Sequence, residues 1–192
     1  MSAQRLVIGI SGASGAAYGL KALELARSVG VETHLVVSRA ALLTLHQELG
    51  IQKSELSHRA DVVHSAADVG ASIASGSFRT MGMLVAPCSV KTMSEIASGV
   101  TSTLMSRAAD VVLKERRRLV LMVRETPLHL GHLKTMTALS EMGAIIMPPV
   151  PAFYSHPESI NEMICHSVGR ALDLFGIETG TVKRWDGLKP GS

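Results

Sequence analysis

The chain has 192 residues, of which 46% are hydrophobic, 3% aromatic and 18% charged, with a formal net charge of +3. No aromatic residues are interleaved with the densest basic run, Arg116-Arg117-Arg118, which argues against binding of nucleic acid through stacked bases. Every apolar run is shorter than the roughly 20 residues of a membrane-spanning helix. We therefore expect a cytoplasmic protein without membrane segments. The low charged fraction favours burial between subunits of a homo-oligomer.

Short apolar runs alternate with amphipathic segments along the whole chain, which is typical of strands alternating with helices. The predicted strands cover residues 6–10, 33–37, 61–63, 81–86, 119–123 and 144–147. The predicted helices cover residues 16–29, 39–49, 103–117, 130–142 and 157–174, with one more starting at about Ser89. Because the strand runs do not alternate in polarity, both of their faces are buried. The pattern predicts an α/β fold, a three-layer parallel sheet flanked by helices, within a single domain over residues 1–192 whose tail from 176 is irregular.

Three polar loops directly follow apolar runs, at residues 11–15, 87–89 and 124–127. In parallel sheets, ligands bind outside the carboxyl ends of the strands, so these loops predict a site. Gly9, Gly12 and Gly15 recur every third residue across the first turn, which suits close backbone approach to an anion, although a plain tight turn has the same pattern. The second strand ends in Ser38-Arg39 instead of an acidic residue. This disfavours NAD, although an arginine could accept the extra phosphate of NADP.

Charged residues suggest two further features. Arg107 and Lys114 are seven residues apart on one helix face, where they could clamp a phosphate; alternatively, either could pair with Asp110. Spacing alone leaves both interpretations open. Arg124 and Glu125 directly follow a buried strand, where Arg124 could hold an anionic ring or phosphate and Glu125 could exchange a proton.

The sequence contains no pattern typical of a metal site. His129 and His132 have no third ligand nearby, and the two cysteines have no metal-ligand spacing. No sequence feature supplies a base for Cys88, so we interpret it as a packed thiol and not as a nucleophile.

Taken together, these residues resemble the bacterial flavin prenyltransferases, which serve ubiquinone biosynthesis and decarboxylases that use prenylated flavin. The resemblance runs from about residue 5 to Trp185, and its matching blocks are residues 9–15, 75–78, 87–89, 107–116, 123–127 and 148–154. It implies a Rossmann-like, flavodoxin-like fold assembled into a dodecamer. It also implies a metal-free reaction that joins the dimethylallyl group of dimethylallyl phosphate to N5 and then C6 of reduced FMN. A partner decarboxylase would receive the prenylated FMN.

The resemblance also implies a role for individual residues. Those implied to contact FMN are Gly12, Ala13, Ser14, Ser38, Ser89, Val90, Lys91, Thr92 and Arg124. Those implied to hold the prenyl phosphate are Lys114, Tyr154 and Arg170, with Arg107 and Ser14 close by. Glu125 is expected to transfer a proton to the departing phosphate, and Glu48 to assist deprotonation when the new ring forms. Trp185 is expected near the flavin, where its ring face could stabilise a cationic allyl fragment.

Two alternative functions remain open at this stage. An FMN-dependent cysteine decarboxylase on the same fold would need a histidine beside the flavin, and none occurs in the glycine loop or after the strand ending at residue 86. A non-catalytic flavin carrier would need the FMN loops but not Lys114, Glu125, Tyr154 and Arg170.

Overall fold

Six strands form one parallel sheet at the centre of the protein, whose computed structural model describes residues 4–185 and 187. They are β1 (Arg5–Ile10), β2 (Glu32–Val37), β3 (Val62–His64), β4 (Gly82–Cys88), β5 (Arg118–Val123) and β6 (Ile145–Ile146). Their order is β3-β2-β1-β4-β5-β6, and each neighbouring pair is parallel. The strand order reverses between β1 and β4, which creates the crevice where α/β proteins bind ligands. The predicted α/β fold with a parallel sheet is confirmed.

Helices cover both faces of the sheet. They are α1 (Ala16–Ser28), α2 (Arg39–Leu49), α3 (Val90–Ala97), α4 (Leu104–Lys114), α5 (Leu130–Glu141) and α6 (Ile160–Asp173). One core packs the sheet against α1, α2 and α6, and a second core packs it against α3, α4 and α5. Along β1, Leu6 and Ile8 enter the first core while Val7 enters the second, which explains the uninterrupted apolar runs. Among the described residues, no helix is both long and apolar enough to cross a membrane.

Two helix boundaries differ from the predicted ones by three residues, each for a local reason. α4 ends at Lys114, three residues early, because Arg116 adopts a left-handed backbone with φ 56°. α6 begins at Ile160 and not at Pro157, because the Ser159 side chain accepts a hydrogen bond from the Glu162 N–H at 3.2 Å. From 177 to 185 the chain contains no helix or strand, and the remainder of the predicted irregular tail, apart from 187, lies outside the described residues.

A buried serine fixes the loops after β1 and β4 to each other. The fully buried Ser11 hydroxyl donates to the Pro87 carbonyl oxygen at 2.8 Å and accepts from the Ser89 N–H at 2.7 Å. The Ser11 N–H donates to the same carbonyl at 3.2 Å. These hydrogen bonds join the loops at the carboxyl ends of β1 and β4, the two strands between which the strand order reverses.

Removal of that hydroxyl is expected to destabilise the protein. Ser11→Ala leaves the partly buried Ser89 N–H without its acceptor, so the free energy of unfolding should fall by about 1–3 kcal/mol. Urea unfolding followed by circular dichroism measures the change. Ser98→Ala is the matched control, because its exposed hydroxyl only bonds back to Ser94 at the end of α3. Equal losses in the two variants would contradict the structural role assigned to Ser11.

Candidate active site

The carboxyl ends of the central strands open onto one cleft of about 900 Å³. This volume is in the range of small-molecule sites. The cleft is lined by all nine residues predicted to contact FMN, which are Gly12, Ala13, Ser14, Ser38, Ser89, Val90, Lys91, Thr92 and Arg124. Glu125 lines it as well. Loops far apart in the sequence therefore meet at the predicted edge of the sheet.

Three helix N-termini face this cleft, and each has a hydroxyl cap. Ser38 caps α2 by accepting from the Ala41 N–H, Ser89 caps α3 by accepting from the Thr92 N–H, and Thr103 caps α4 by accepting from the Ser106 N–H. All three capping residues line the cleft. Helix N-termini carry partial positive charge, and with the exposed Arg124 they make this region suitable for an anionic group.

The N-terminus of α1 differs, because the protein's own carboxylate occupies it. Glu48, at the end of α2, accepts hydrogen bonds from the Gly15 N–H at 3.0 Å and from the Ala16 N–H at 3.1 Å. The N–H groups at the start of α1 are thus paired within the protein, and anion binding by the glycine loop stays a prediction. Glu48 also does not line the cleft. The structure thus gives Glu48 a contact that holds the glycine loop, whereas its predicted role in deprotonation stays a prediction.

The glycine loop packs directly on the start of α2. A Cβ added at Gly12 would lie 2.4 Å from the Ala40 Cβ, which no side chain could tolerate without a shift of the backbone. Gly15 has φ +99°, a conformation that glycine adopts readily. These two positions require glycine, and together they place Ala13 and Ser14 against the cleft.

Arg124 and Glu125 lie where β5 ends. The Arg124 N–H donates to the Cys88 carbonyl oxygen at 3.0 Å, which aligns this loop with the end of β4. The half-buried Glu125 carboxylate accepts from the Thr126 N–H at 3.0 Å. Burial raises the pKa of Tyr18 on α1, and the nearby Arg124 guanidinium offsets part of that rise. Arg124 therefore lies near Tyr18 and also lines the cleft.

Cys88 is fully buried at the end of β4, and burial raises the pKa of its thiol to about 12. Only about one thiol in ten thousand would then be ionised at pH 8, and the thiolate is the reactive form. The geometry agrees with a packed thiol.

We therefore expect Cys88 to resist iodoacetamide at pH 8 in the folded protein and to react fully once the protein is unfolded in urea. Peptide mass spectrometry of the two samples measures the modified fraction. Rapid modification of Cys88 in folded protein would contradict the burial and the raised pKa.

The two cations on α4 each have a carboxylate partner within the chain, and the phosphate clamp stays a prediction. Arg107 pairs with Asp110 at 2.9 Å, whereas Lys114 pairs with Glu115 at 2.6 Å, so the two cations have different partners. Neither Arg107 nor Lys114 lines the cleft. Met105 near the start of α4 lines the cleft, and an α-helix rises about 1.5 Å per residue, so Lys114 lies about 14 Å further along the helix.

Tyr154 and Arg170 lie together in a second, smaller pocket of about 210 Å³. We call it the small pocket; its walls include Pro148, Pro149, Tyr154, His166, Ser167 and Arg170. It shares no lining residue with the cleft. Trp185 packs edge-on against Tyr154, with ring centroids 5.8 Å apart, so within one chain it contacts a residue of the small pocket and does not line the cleft.

Several cleft residues had no strong sequence signal. Ala66 and Ala67 follow the three-residue β3, and Leu43 exposes 72% of its surface at the rim. The Thr103-x-x-Ser106 spacing is a helix-capping pattern that could have located the start of α4. In the described part of the chain, no three His, Cys, Asp or Glu side chains are grouped so that they could hold a metal ion.

Comparison with known proteins places this chain in a family. Residues 1–175 match the model of the Flavoprotein family. Flavin prenyltransferase UbiX of Neisseria meningitidis serogroup B is 55% identical over 185 residues, which cover 96% of this chain and 98% of that protein. UbiX of Escherichia coli K12 is also 55% identical, over 187 residues that cover 96% and 99% of the two chains. The chain belongs to the flavin prenyltransferase family.

Solved structures agree with this membership. AnUbiX (PadA1), in complex with FMN and dimethylallyl pyrophosphate, superposes with a TM-score of 0.95 at 49% identity and covers 97% of this chain and 100% of its own. A dodecameric FMN-dependent UbiX-like decarboxylase from Escherichia coli O157:H7 has a TM-score of 0.93 at 48% identity, covering 96% and 100% of the two chains. The cysteine decarboxylase TvaF, at 15% identity and a TM-score of 0.62, shares only the fold. The family resemblance noted in the sequence is confirmed.

Proposed function

We propose that this protein is a flavin prenyltransferase that transfers a dimethylallyl group from dimethylallyl phosphate to N5 and C6 of reduced FMN. The observation that carries the proposal is the single cleft lined by all nine predicted FMN residues and by Glu125. The structure of AnUbiX in complex with FMN and dimethylallyl pyrophosphate supports this choice of substrates, because its fold matches that of this chain with a TM-score of 0.95.

The residues of the cleft fit FMN. Val90, Met105 and the exposed Leu43 offer apolar surface to a flat ring system, while the capped helix N-termini and Arg124 suit its phosphate. When bound in its reduced form, FMN supplies the nucleophilic positions N5 and C6. The protein would contribute orientation of the two substrates and stabilisation of the developing charge.

Glu125 is the residue we propose for proton transfer. As the bond between the prenyl carbon and the phosphate oxygen breaks, the electron pair leaves with the phosphate, which then needs a proton and nearby cations. A carboxyl group on the cleft wall, fixed by the Thr126 N–H, is placed to supply the proton. Lys114, Tyr154 and Arg170, with Arg107 and Ser14, would hold the phosphate.

A homo-oligomer would complete the site. Because Lys114, Tyr154 and Arg170 do not line the cleft of their own chain, neighbouring copies would bring them to it. Large apolar side chains are available for such contacts, since Val150, Phe153 and Ile160 are each more than 70% exposed. The dodecameric relative supports a dodecamer here as well.

The wider setting follows from the same proposal. The chain would act as one flavoprotein domain over residues 1–192, in the cytoplasm, and pass prenylated FMN to a decarboxylase that depends on it, for example in ubiquinone biosynthesis.

Anaerobic incubation with reduced FMN and dimethylallyl phosphate tests the activity. We expect one phosphate to be released for each flavin consumed. A phosphate assay measures the first quantity, and the flavin absorbance spectrum measures the second. A flavin carrier would bind FMN and release no phosphate. A cysteine decarboxylase would instead release CO2 from a peptide ending in cysteine, with oxidised FMN as the acceptor.

A further inference from the structure

A tight turn over residues 75–78 contacts the end of α4. The Phe78 N–H donates to the Ser75 carbonyl oxygen at 3.2 Å, and the hydroxyl oxygens of Ser75 and Ser77 lie 2.9 Å apart. We call this segment the 75–78 turn. Its second residue is Gly76, which lines neither the cleft nor the small pocket. Gly76 can therefore affect the reaction only through the residues that it contacts.

The 75–78 turn is fixed on both sides. Before it, Ile73 and Ala74 are buried in the second core, and at its end Phe78 packs against the same core. Between α4 and β5, the Arg117 guanidinium donates to the Gly76 carbonyl oxygen at 2.6 Å and to the Phe78 carbonyl oxygen at 2.7 Å. A planar guanidinium holds two acceptors in one set geometry. The backbone of the turn therefore cannot move away from the end of α4 without losing these contacts.

Gly76 lies against two charged side chains at the end of α4. A Cβ added at Gly76 would overlap the Glu115 Oε1 and would lie 2.8 Å from the Lys114 Nζ. These two groups form an ion pair, with Nζ and Oε1 2.6 Å apart. The φ angle of Gly76 is outside the left-handed region, so its backbone would also suit alanine. Space beside the ion pair, and not backbone conformation, thus favours glycine at this position.

A methyl group at position 76 would displace the ion pair and leave the fold in place. The turn is held by Arg117 and by the core, whereas the Lys114 and Glu115 side chains are flexible and 47% and 35% exposed. An exposed ion pair adds little to stability, so the two side-chain ends would yield before the backbone does. Charge-assisted contacts to phosphate are short, about 2.7–2.9 Å, so a small shift of the ammonium would weaken such a contact.

We propose that Gly76 is a positioning residue for the dimethylallyl phosphate site, because the space that it leaves sets where the Lys114 ammonium lies. Arg117 shares this role by holding the turn at the end of α4. The inference rests on the proposed function, which assigns Lys114 to the phosphate. Its consequence is that an uncharged change at a residue outside both pockets should weaken binding of dimethylallyl phosphate, while binding of FMN stays as it is.

Gly76→Ala is the first test. We expect KM for dimethylallyl phosphate to rise about 3- to 10-fold, because a charge-assisted contact to phosphate is weakened and not removed. Affinity for FMN, oligomer size and the midpoint of thermal unfolding should stay close to the wild type. Gly70→Ala is the matched control, since Gly70 is also outside the left-handed region and the nearest atom to an added Cβ is the Asp68 Oδ1 at an ordinary 3.4 Å. It should keep the wild-type KM.

A double variant separates positioning of Lys114 from any other effect of the added methyl group. If Gly76→Ala acts by displacing the ammonium, its effect should vanish when that ammonium is absent. Gly76→Ala combined with Lys114→Ala should therefore have the same KM as Lys114→Ala alone. A general disturbance of the site would instead multiply the two increases in KM.

Arg117→Lys tests the same position from the other side of the turn, without added volume at residue 76. The positive charge is kept, but an ammonium group cannot hold both carbonyl oxygens in the fork geometry of a guanidinium. We expect KM for dimethylallyl phosphate to rise by a smaller factor than in Gly76→Ala. This rise, too, should be absent when Lys114→Ala is present.

The outcomes are distinct. Wild-type KM in Gly76→Ala, or an increase that multiplies with that of Lys114→Ala, would overturn the inference while product formation by the wild type upholds the proposed function. If Gly76→Ala did not fold, Arg117→Lys and its combination with Lys114→Ala would decide in the same way. Wild-type KM in Lys114→Ala would overturn the assignment of Lys114 to the phosphate, and this inference with it.

Discussion

Replacement of Glu125 by Gln is expected to slow formation of prenylated FMN by a factor of about 10² to 10⁴, the usual contribution of a positioned general acid or base. The amide matches the carboxyl group in size and can still accept from the Thr126 N–H, so the loop after β5 should keep its conformation. The variant cannot give a proton to the departing phosphate. Single-turnover measurements with reduced FMN and saturating dimethylallyl phosphate isolate this step.

Glu141→Gln is the matched control for that experiment. Glu141 ends α5, is exposed and does not line the cleft, so the same change of charge there should leave the rate unaltered. FMN binding by Glu125→Gln should remain close to wild type. If Glu125→Gln formed prenylated FMN at a rate within a factor of two of the wild type, Glu125 would not be the residue that transfers the proton.

Loss of the Lys114 ammonium is expected to raise KM for dimethylallyl phosphate about 10- to 100-fold, since charge-assisted contacts to phosphate are strong. Folding should hardly change in Lys114→Ala, because the pair that Lys114 forms with Glu115 is exposed and such pairs contribute little. Initial rates against substrate concentration give KM and kcat separately. Lys134→Ala, an exposed lysine on α5, serves as the control and should keep wild-type values.

Mixed oligomers then test whether one site draws on two copies of the chain. Lys114→Ala and Glu125→Gln are expected to be inactive at low substrate concentration when expressed singly. If the Lys114 and Glu125 of one site come from different copies, random co-assembly restores both residues at about a quarter of the sites. If the co-expressed and co-purified oligomers stayed inactive, Lys114 and Glu125 of one site would belong to the same copy of the chain.

Most of the fold could be predicted from local patterns. β1 is buried along Leu6–Ile10, and α2 spans the predicted residues 39–49 because Ser38 caps its start and Gly50, with φ +68°, ends it. The sequence signal is weakest for β3 and β6, because strands of three and two residues have too few side chains to form a pattern. The start of α6 was misplaced because Pro157 competes with Ser159 as a start signal.

The candidate site was predicted only in part. Residues that directly follow strands, such as Ser89 and Arg124, could be located because the carboxyl ends of parallel strands meet at one edge. The contact of Glu48 with the Gly15 N–H joins positions 33 residues apart and depends on how α2 packs beside α1. No local pattern encodes such a contact. Likewise, spacing places Lys114 on a helix face but says nothing of which copy of the chain that face meets.

The central claim is that reduced FMN itself is the acceptor of the prenyl group. The most direct measurement is mass spectrometry of the flavin extracted after incubation of the purified protein with reduced FMN and dimethylallyl phosphate. We predict a mass gain of one five-carbon prenyl unit on FMN, absent when either dimethylallyl phosphate or the protein is omitted. Recovery of unmodified FMN alone, from protein that demonstrably binds both substrates, would contradict the account.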